Sequence, residues 1–242
     1  MKRPLIAREG WPFALGLGLL TAAAWWLWPY AAIVPGLLTL LVLWFFRDPE
    51  RAIPGDEADV VAPADGRVLW VREVDEPRFL GGPAVGVSIF LSIFDVHVNR
   101  APVAGRVAYR EYVPGRFLAA WRERVEETNE RAYTGIEGPG YRALVVQIAG
   151  LVARRIVNWV GPGEAVRRGE RFGLIKFGSC TQVYLPRGTE ITVRPGQRVR
   201  GGQTIIGRLP PRWKEQEEAG ARGGGSGASG ASGEASGSGS GA

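Results

Sequence analysis

A long uncharged segment near the amino terminus constrains this chain more than any other feature. No charged residue occurs between Trp11 and Phe46, and the sequence Trp28-Pro29-Tyr30 divides this segment into two apolar stretches. At 1.5 Å per helical residue, residues 11–28 and 31–46 each reach about 24–27 Å, against a hydrocarbon core of about 30 Å. The sequence therefore predicts an apolar helical hairpin within residues 1–52, which either spans a bilayer or enters one leaflet.

Basic residues flank the apolar segment on both sides. Lys2, Arg3 and Arg8 precede it, and Arg47 and Arg51 follow it. The positive-inside rule then places both ends, and the domain that follows, at the cytoplasmic face of the cell (inner) membrane. A cleaved signal peptide is the alternative, although a second apolar run follows directly. The net charge of +6 favours an anionic partner, and the hairpin favours a phospholipid surface over nucleic acid.

After the hairpin the chain consists of short Val- and Ile-rich segments separated by Gly and Pro. Several alternate apolar with polar residues, which is typical of β-strands. We therefore predict a mainly β fold for residues 53–213, a β-sandwich or barrel-like domain with few helices. The predicted strands are residues 60–61, 66–71, 84–94, 106–113, 143–148, 154–160, 182–185 and 190–193, and a charged helix is predicted at 117–132. Residues 214–242 are predicted to be a disordered Gly, Ser and Ala tail, because they have too little apolar surface to fold.

A Gly-x-x-Val-x-x-Gly pattern occurs twice, at residues 163–169 and 196–202. The repetition predicts two similar hairpins. The pattern is similar to that of the compact β-sandwich of lipoyl and biotinyl carrier domains, which carry an exposed lysine at a hairpin tip. Lys176 is the one lysine between Lys2 and Lys214, so it is the residue that a carrier would modify.

The chain has a single cysteine, Cys180, and a single histidine, His97. These numbers exclude an intramolecular disulfide and a metal site built from several Cys or His residues, so no metal is predicted. Strand alternation predicts Asp95, His97 and Asn99 on one face, where the imidazole is a candidate acid or base or a simple hydrogen-bonded side chain. Asp65 is followed by glycine, and such pairs commonly form tight turns.

The pair Gly178-Ser179 interrupts an apolar, strand-like segment and brings a nucleophile next to a flexible backbone. Because Gly178 has no Cβ, its carbonyl is open to attack from either face. The Ser179 hydroxyl is therefore a candidate to attack its own backbone, although Gly-Ser is also common in bulges and turns. Arg100 and Arg106 are either phosphate-binding residues or surface charges.

Taken in order, several segments of the chain resemble the phosphatidylserine decarboxylase family in its short, membrane-anchored prokaryotic form. They are W-F-F-R-D-P at residues 44–49, A-P-A-D-G at 62–66, F-D-V-H-V-N-R-A-P at 94–102, Y-V-P-G at 112–115, N-E-R at 129–131 and F-G-S at 177–179. Each segment alone is common, whereas the ordered set covers nearly the whole domain. The resemblance implies conversion of phosphatidylserine to phosphatidylethanolamine, or of a neighbouring lipid such as an archaetidylserine.

In this family the precursor cuts itself before a serine, by an N-to-O acyl shift and ester elimination, and the serine becomes a covalent pyruvoyl group. The resemblance therefore implies cleavage between Gly178 and Ser179 into chains 1–178 and 179–242, which stay together as a heterodimer, with further dimerisation left open. The pyruvoyl ketone would form a Schiff base with the substrate amine and accept the electrons left by CO2 loss, without metal or pyridoxal phosphate. His97 matches the first histidine of the family's His-x-x-His segment and is the candidate proton donor. Asp65 matches the aspartate of the Asp-His-Ser relay that the longer forms use for self-cleavage.

The chain departs from the longer forms at two positions. Arg100 stands in place of their second histidine, and Cys180 replaces the more usual threonine after the cleavage site. With one histidine, either His97 serves self-cleavage and proton return in turn, or cleavage relies on Asp65 and backbone strain. Cys180 itself is predicted to be a small buried side chain.

Two other functions fit parts of the same pattern. A membrane-anchored Ser/Lys peptidase would use Ser179 as the nucleophile and Lys176 as the base, but residues three apart in a strand point to opposite faces. A non-enzymatic, membrane-tethered β-sandwich adaptor predicts an uncut chain in which replacement of Ser179 has no consequence.

Overall fold

The computed structural model describes residues 5–115, 128–150, 155–176 and 179–210. Outside the described residues lie most of the helix predicted at 117–132, Gly178, and the tail predicted at 214–242. The domain boundaries after residues 52 and 213 stay predictions.

Two apolar helices form the predicted hairpin at the amino terminus. The helical segments are a 3-10 turn at Arg8–Gly10, α1 at Trp11–Leu27, a 3-10 turn at Pro29–Ala32 and α2 at Ile33–Phe45. The hydroxyl oxygens of Thr21 and Thr39 lie 3.4 Å apart where the helices meet. The run Arg8–Leu27 is long and apolar enough to cross a membrane, and Pro29–Phe45 is a shorter apolar run. Large apolar side chains are exposed around both helices, which is the pattern of helices that face lipid.

Most of the remaining described chain is β-structure, as predicted. The strands are β1 Asp59–Val61, β2 Gly66–Glu76, β3 Gly82–Leu91, β4 Val98–Arg100, β5 Gly105–Val113, β6 Arg131–Gly138, β7 Tyr141–Ala149, β8 Ile156–Asn158, β9 Ala165–Val166, β10 Arg171–Ile175, β11 Ser179–Pro186, β12 Glu190–Ile191, β13 Arg198–Val199 and β14 Ile205–Arg208. They form a curled eight-stranded sheet in the order β13-β2-β3-β11-β7-β6-β5-β9. Two three-stranded sheets have the orders β1-β14-β12 and β4-β10-β8.

These strands form two equivalent sets that meet between β11 and β7. Read from either edge, the large sheet contains a two-residue strand, a long hairpin and one central strand, and each set also supplies one three-stranded sheet. The two Gly-x-x-Val-x-x-Gly segments provide the edge strands β9 and β13. Gly163 and Gly169 flank β9 with positive φ, and Gly196 and Gly202 do the same around β13. The two segments are therefore similar, as predicted, but they are not hairpins, because β9 pairs with β5 and β13 pairs with β2.

The main hydrophobic core is shared by the large sheet and the two small sheets. Val183 and Leu185 of β11 are fully buried in this core. Because side chains alternate along a strand, Ser179 shares their face of the sheet. Cys180 points to the other face, where it is buried in a second cluster, as predicted.

Three local predictions near the site are wrong. The strand predicted at 84–94 ends at Leu91, because Ser92 and Asp95 close a turn. Asp95 therefore does not alternate with His97 and Asn99 along one strand, since β4 begins at Val98. The segment on either side of Gly178-Ser179 is two strands, because β10 and β11 belong to different sheets.

The predicted helix is also wrong at its described end. Arg131 and Ala132 begin strand β6, which pairs with β5 over residues 131–137 and with β7 over its whole length. The glycines of this strand, Gly135 and Gly138, hide the apolar–polar alternation that identifies the other strands. Strands β8 and β12 are shorter than the predicted 154–160 and 190–193.

Candidate active site

Ser179 is the first residue of β11, at the end of the large sheet that lies next to the apolar hairpin. It pairs with Leu91 at the end of β3 and with Ala149 at the end of β7. The residue is fully buried, and its hydroxyl makes no hydrogen bond to any described residue. An unpaired buried hydroxyl costs about 1–3 kcal/mol, so this position is not explained by stability.

A buried polar network holds the start of β11 against the small β4-β10-β8 sheet. The side-chain amide of Asn99 donates to Thr181 Oγ1 at 3.0 Å, and Gln147 Nε2 donates to Asn99 Oδ1 at 2.8 Å. Asn158 Nδ2 continues the network to Gln147 Oε1 at 3.4 Å. Asn99, Gln147 and Thr181 are fully buried. The network therefore fixes the strand that begins with Ser179, two residues from the serine.

His97 is the fully buried imidazole at the same end of the molecule. Its ring lies against the ring of Phe45, the last residue of α2, with 4.2 Å between centroids. Nδ1 is 3.0 Å from the backbone oxygen of Asp95. Because a carbonyl oxygen accepts only, a neutral ring carries its proton on Nδ1 and its lone pair on Nε2.

Burial controls the protonation state of His97. Loss of solvation lowers its pKa from 6.5 to about 4, although the carbonyl and carboxylate of Asp95 and the carboxylate of Asp65 act in the opposite direction. The imidazole is therefore neutral near pH 7. A neutral imidazole has a lone pair with which to accept a proton, and it must be protonated before it can act as an acid.

Asp65 lies in a bend between β1 and β2, which belong to different sheets, so the tight turn predicted from Asp-Gly is not formed. Its carboxylate is held by two partners. Arg51 donates to Oδ1 at 2.5 Å and to Oδ2 at 2.9 Å, and the Gly201 amide donates to Oδ1 at 2.8 Å. Arg51 also donates to the Gly201 carbonyl oxygen at 2.6 Å. Asp65 therefore fixes the segment that leaves the hairpin onto the β domain.

Arg100, at the position of the second family histidine, has a similar structural place. The buried guanidinium donates to the carbonyl oxygens of Pro49 and Gly169, at 2.9 and 3.1 Å, and lies 3.5 Å from Asp48. Burial lowers its pKa to about 10, so it is still charged at neutral pH. Arg106 donates to the Gly163 carbonyl oxygen at the surface.

The pair required by a Ser/Lys peptidase is not formed. Lys176 Nζ lies over the ring of Phe13 in α1, 5.4 Å from its centroid. The Ser179 hydroxyl has no hydrogen-bond partner among the described residues, which include this lysine.

Two further residues contribute to the site. In the sequence they are identified only as members of longer motifs. Phe45 contacts His97 directly, and the buried Asn129 donates from Nδ2 to the Ala149 carbonyl oxygen at 2.7 Å. Ala149 is the partner of Ser179 in β7. In the sequence, both residues could be found only as members of the W-F-F-R-D-P and N-E-R segments, and those segments indicated no role for either side chain.

These features define a mainly β protein with an apolar helical hairpin, whose buried serine and histidine lie at the end next to that hairpin. The family model for phosphatidylserine decarboxylase matches residues 38–207. The chain belongs to the phosphatidylserine decarboxylase family, which confirms the resemblance found in the sequence.

Relatives from several bacteria match nearly the full length of their own chains. The phosphatidylserine decarboxylase proenzyme of Symbiobacterium thermophilum is 62% identical over 87% of this chain and 98% of its own. The proenzyme of Carboxydothermus hydrogenoformans is 52% identical over 86% and 99%. That of Syntrophus aciditrophicus is 44% identical over 84% and 96%. The word proenzyme describes those proteins as precursors.

Proposed function

We propose that this protein decarboxylates phosphatidylserine to phosphatidylethanolamine, with a pyruvoyl group made from Ser179 when the chain cuts itself after Gly178. The observation that carries the proposal is the buried, unpaired hydroxyl of Ser179 at the first position of β11. Family membership supports the reaction, and the apolar hairpin supports a lipid substrate.

The surroundings of Ser179 suit a pyruvoyl group. The buried serine has a hydroxyl proton with no acceptor among the described residues, and a ketone at this position has no proton to donate. When present, such a group supplies the electron sink for loss of CO2 from an amino acid headgroup. Leu91 and Ala149 flank Ser179 on the neighbouring strands, and the position is buried from solvent.

His97 is the proposed proton-transfer residue for both steps. Its neutral state and its proton on Nδ1 leave the Nε2 lone pair to take up a proton during self-cleavage. In turnover the same nitrogen, once protonated, returns a proton to the substrate carbon. Arg100 is engaged with Pro49, Gly169 and Asp48, which favours one imidazole for both tasks.

For Asp65 the contacts favour a positioning role over a role as a base. Both carboxylate oxygens are engaged by Arg51, and one also accepts from Gly201. In that role Asp65 holds the segment that follows α2. The last residue of α2, Phe45, packs on His97, so Asp65 affects self-cleavage indirectly.

The cellular arrangement follows from the hairpin and the basic residues around it. We place the hairpin in the inner membrane and the β domain on its cytoplasmic face, where an anionic phospholipid is the substrate. The mature protein is a heterodimer of residues 1–178 and 179–242.

The test is the intact mass of the protein purified in detergent, followed by an assay on lipid. We expect two pieces divided between Gly178 and Ser179, the smaller without a free amine, and release of CO2 from phosphatidylserine in mixed micelles. Ser179→Ala is the matched control and should remain one uncut, inactive chain. A single uncut chain with an unchanged Ser179 would contradict self-processing and favour the non-enzymatic adaptor. Activity of the cleaved enzyme on archaetidylserine but not on phosphatidylserine would change only the proposed substrate.

A further inference from the structure

The turn between β3 and β4 is closed by hydrogen bonds and exposes two large apolar side chains. The Asp95 amide donates to the Ser92 carbonyl oxygen at 3.0 Å, and Asp95 Oδ2 accepts from the Ser92 amide and hydroxyl at 2.8 and 2.7 Å. Ile93 and Phe94 occupy the two central positions, with 42% and 63% of their surfaces exposed. The hydrogen bonds hold these side chains away from the domain.

Such a composition is unusual for a turn in water. Central turn positions are normally Gly, Pro, Asn, Asp or Ser, and adjacent exposed apolar residues mark an interaction surface. In the described part of the β domain, the other exposed large apolar side chains are Leu69 and Tyr112, which lie apart along the sequence.

Contacts with the end of α2 set the position of this turn. Arg47, just after α2, donates from Nη2 to the Phe94 carbonyl oxygen at 2.7 Å and from Nη1 to the Trp44 carbonyl oxygen at 2.7 Å. The guanidinium also lies over the exposed Trp44 ring, 4.2 Å from its centroid. Tryptophan and arginine at the end of a membrane helix lie at the level of the lipid headgroups. The turn, bonded to Arg47, lies at that same level.

We propose that Ile93 and Phe94 insert into the lipid bilayer, as a third membrane-contacting element beside the hairpin. The occupant of this surface is a phospholipid monolayer with anionic headgroups. Cations border the turn, since Arg47 binds its backbone and Arg198 lies 3.8 Å from Asp95. The inference rests on the proposed function only in that the hairpin enters the membrane.

Insertion of the turn has a consequence for the site. Asp95 closes the turn, and its backbone oxygen accepts a hydrogen bond from Nδ1 of His97, whose ring packs on Phe45 at the end of α2. Two membrane-contacting elements therefore meet at His97. The imidazole is held just inside the headgroup layer, where the serine headgroup of a lipid lies.

A fluorescent label tests the insertion directly and without any assay of activity. Ile93→Cys and Phe94→Cys are each labelled with bimane, because the native Cys180 is buried and does not compete. Arg187→Cys is the matched control, since Arg187 is an exposed turn residue that follows β11. The register of β3 and β11 places it at the opposite end of the sheet, about 30 Å from the Ser92 turn.

The labelled full chains are placed in vesicles of phosphatidylcholine and phosphatidylglycerol whose acyl chains carry bromine near the headgroup. We expect loss of fluorescence and a blue shift at positions 93 and 94, and neither at 187. Equal fluorescence at all three positions would overturn the proposal. Protection from aqueous iodide without quenching by brominated lipid would also overturn it, because a protein would then cover the turn.

A second variant separates this inference from the proposed reaction. In Ile93→Ser/Phe94→Ser, self-cleavage should be unchanged, while turnover of phosphatidylserine in vesicles falls and turnover of a short-chain soluble analogue is kept. Equal loss on both substrates would contradict a role in membrane contact. Quenching at positions 93 and 94 in a chain that never cuts itself would uphold insertion and refute the proposed reaction.

Discussion

His97 combines a polar task with an apolar environment, and the hairpin provides much of that environment. Phe45 covers one side of the ring, while the Asp95 carbonyl sets which nitrogen carries the proton. An imidazole in this state is a base at neutral pH, whereas a solvated histidine is a mixture of both forms. The chemistry of the residue is therefore controlled by where helix α2 ends.

Acid should destabilise the protein partly through His97. Its pKa is about 4 in the folded chain and 6.5 in the unfolded chain, so between these values the unfolded state binds more protons. The contribution is complete above about pH 6.5 and is lost as pH falls through 4, with a loss of roughly 2 kcal/mol from pH 7 to pH 5. We expect the Tm of the Ser179→Ala protein in detergent to fall over this range, and to fall less with His97→Gln added. Equal falls would show that His97 is solvated.

Replacing the members of the Asp65–Arg51 ion pair tests whether Asp65 is a base or a positioning residue. Removing one member of a buried pair costs about 3–5 kcal/mol, because the other charge is left unpaired. We expect Asp65→Asn and Arg51→Gln to slow conversion of precursor to two chains by similar factors, with little further loss in the double variant. Arg51→Lys should restore part of the rate.

The measurement is the time course of the two chains on a denaturing gel. Complete loss of cleavage in Asp65→Asn with a normal rate in Arg51→Gln would instead identify the carboxylate as the base. Circular dichroism of each variant in detergent controls for misfolding.

At the scale of elements, the end of α2 contributes a side chain to the candidate site. Phe45 and Phe46 are adjacent and both buried, but Phe45 faces His97 whereas Phe46 stacks near Phe13. Phe45→Leu should admit water to the imidazole and move its pKa up toward 6.5, because burial is what lowers it. The acid limb of the pH profile of self-cleavage, the step in which neutral His97 accepts a proton, should then move to higher pH. Phe46→Leu is the matched control and should leave that limb in place, and a shift in both variants would contradict a specific contact.

Elements with a strong periodic pattern could be predicted from the sequence, and elements that depend on distant partners could not. Both apolar helices and the cores of β2, β5 and β7 were predicted, because apolar composition or alternation identifies them. Strand β6 was missed, since its glycines carry no pattern and its order comes from pairing with β5 and β7.

The candidate site shows the same division. Ser179 and His97 could be selected from the sequence, because one follows a flexible glycine and the other is the single histidine. The contact of Phe45 with His97 and the hold of Arg51 on Asp65 could not be predicted, because each joins segments that only the folded chain brings together.

At the scale of the whole molecule, the proposed cut falls between the two equivalent sets of strands. Strands β4 to β10 form one set, and the other combines β1 to β3 with β11 to β14. The cut after Gly178 separates β11 to β14 from the rest of their own set. Each of the three sheets except β4-β10-β8 then contains strands from both chains.

The two chains should therefore remain together after cleavage without any covalent link. Strand β11 lies in the middle of the large sheet, paired with β3 over Ser179–Pro186 and with β7 over residues 179–184, and its apolar side chains fill the core. Separation would break both ladders and expose the core, so it requires global unfolding. We expect the pieces to elute as one particle from a sizing column in detergent and to separate only at denaturant concentrations that abolish the circular dichroism of the sheet. Release of the smaller chain under native conditions would show that β11 leaves the sheet once the chain is cut.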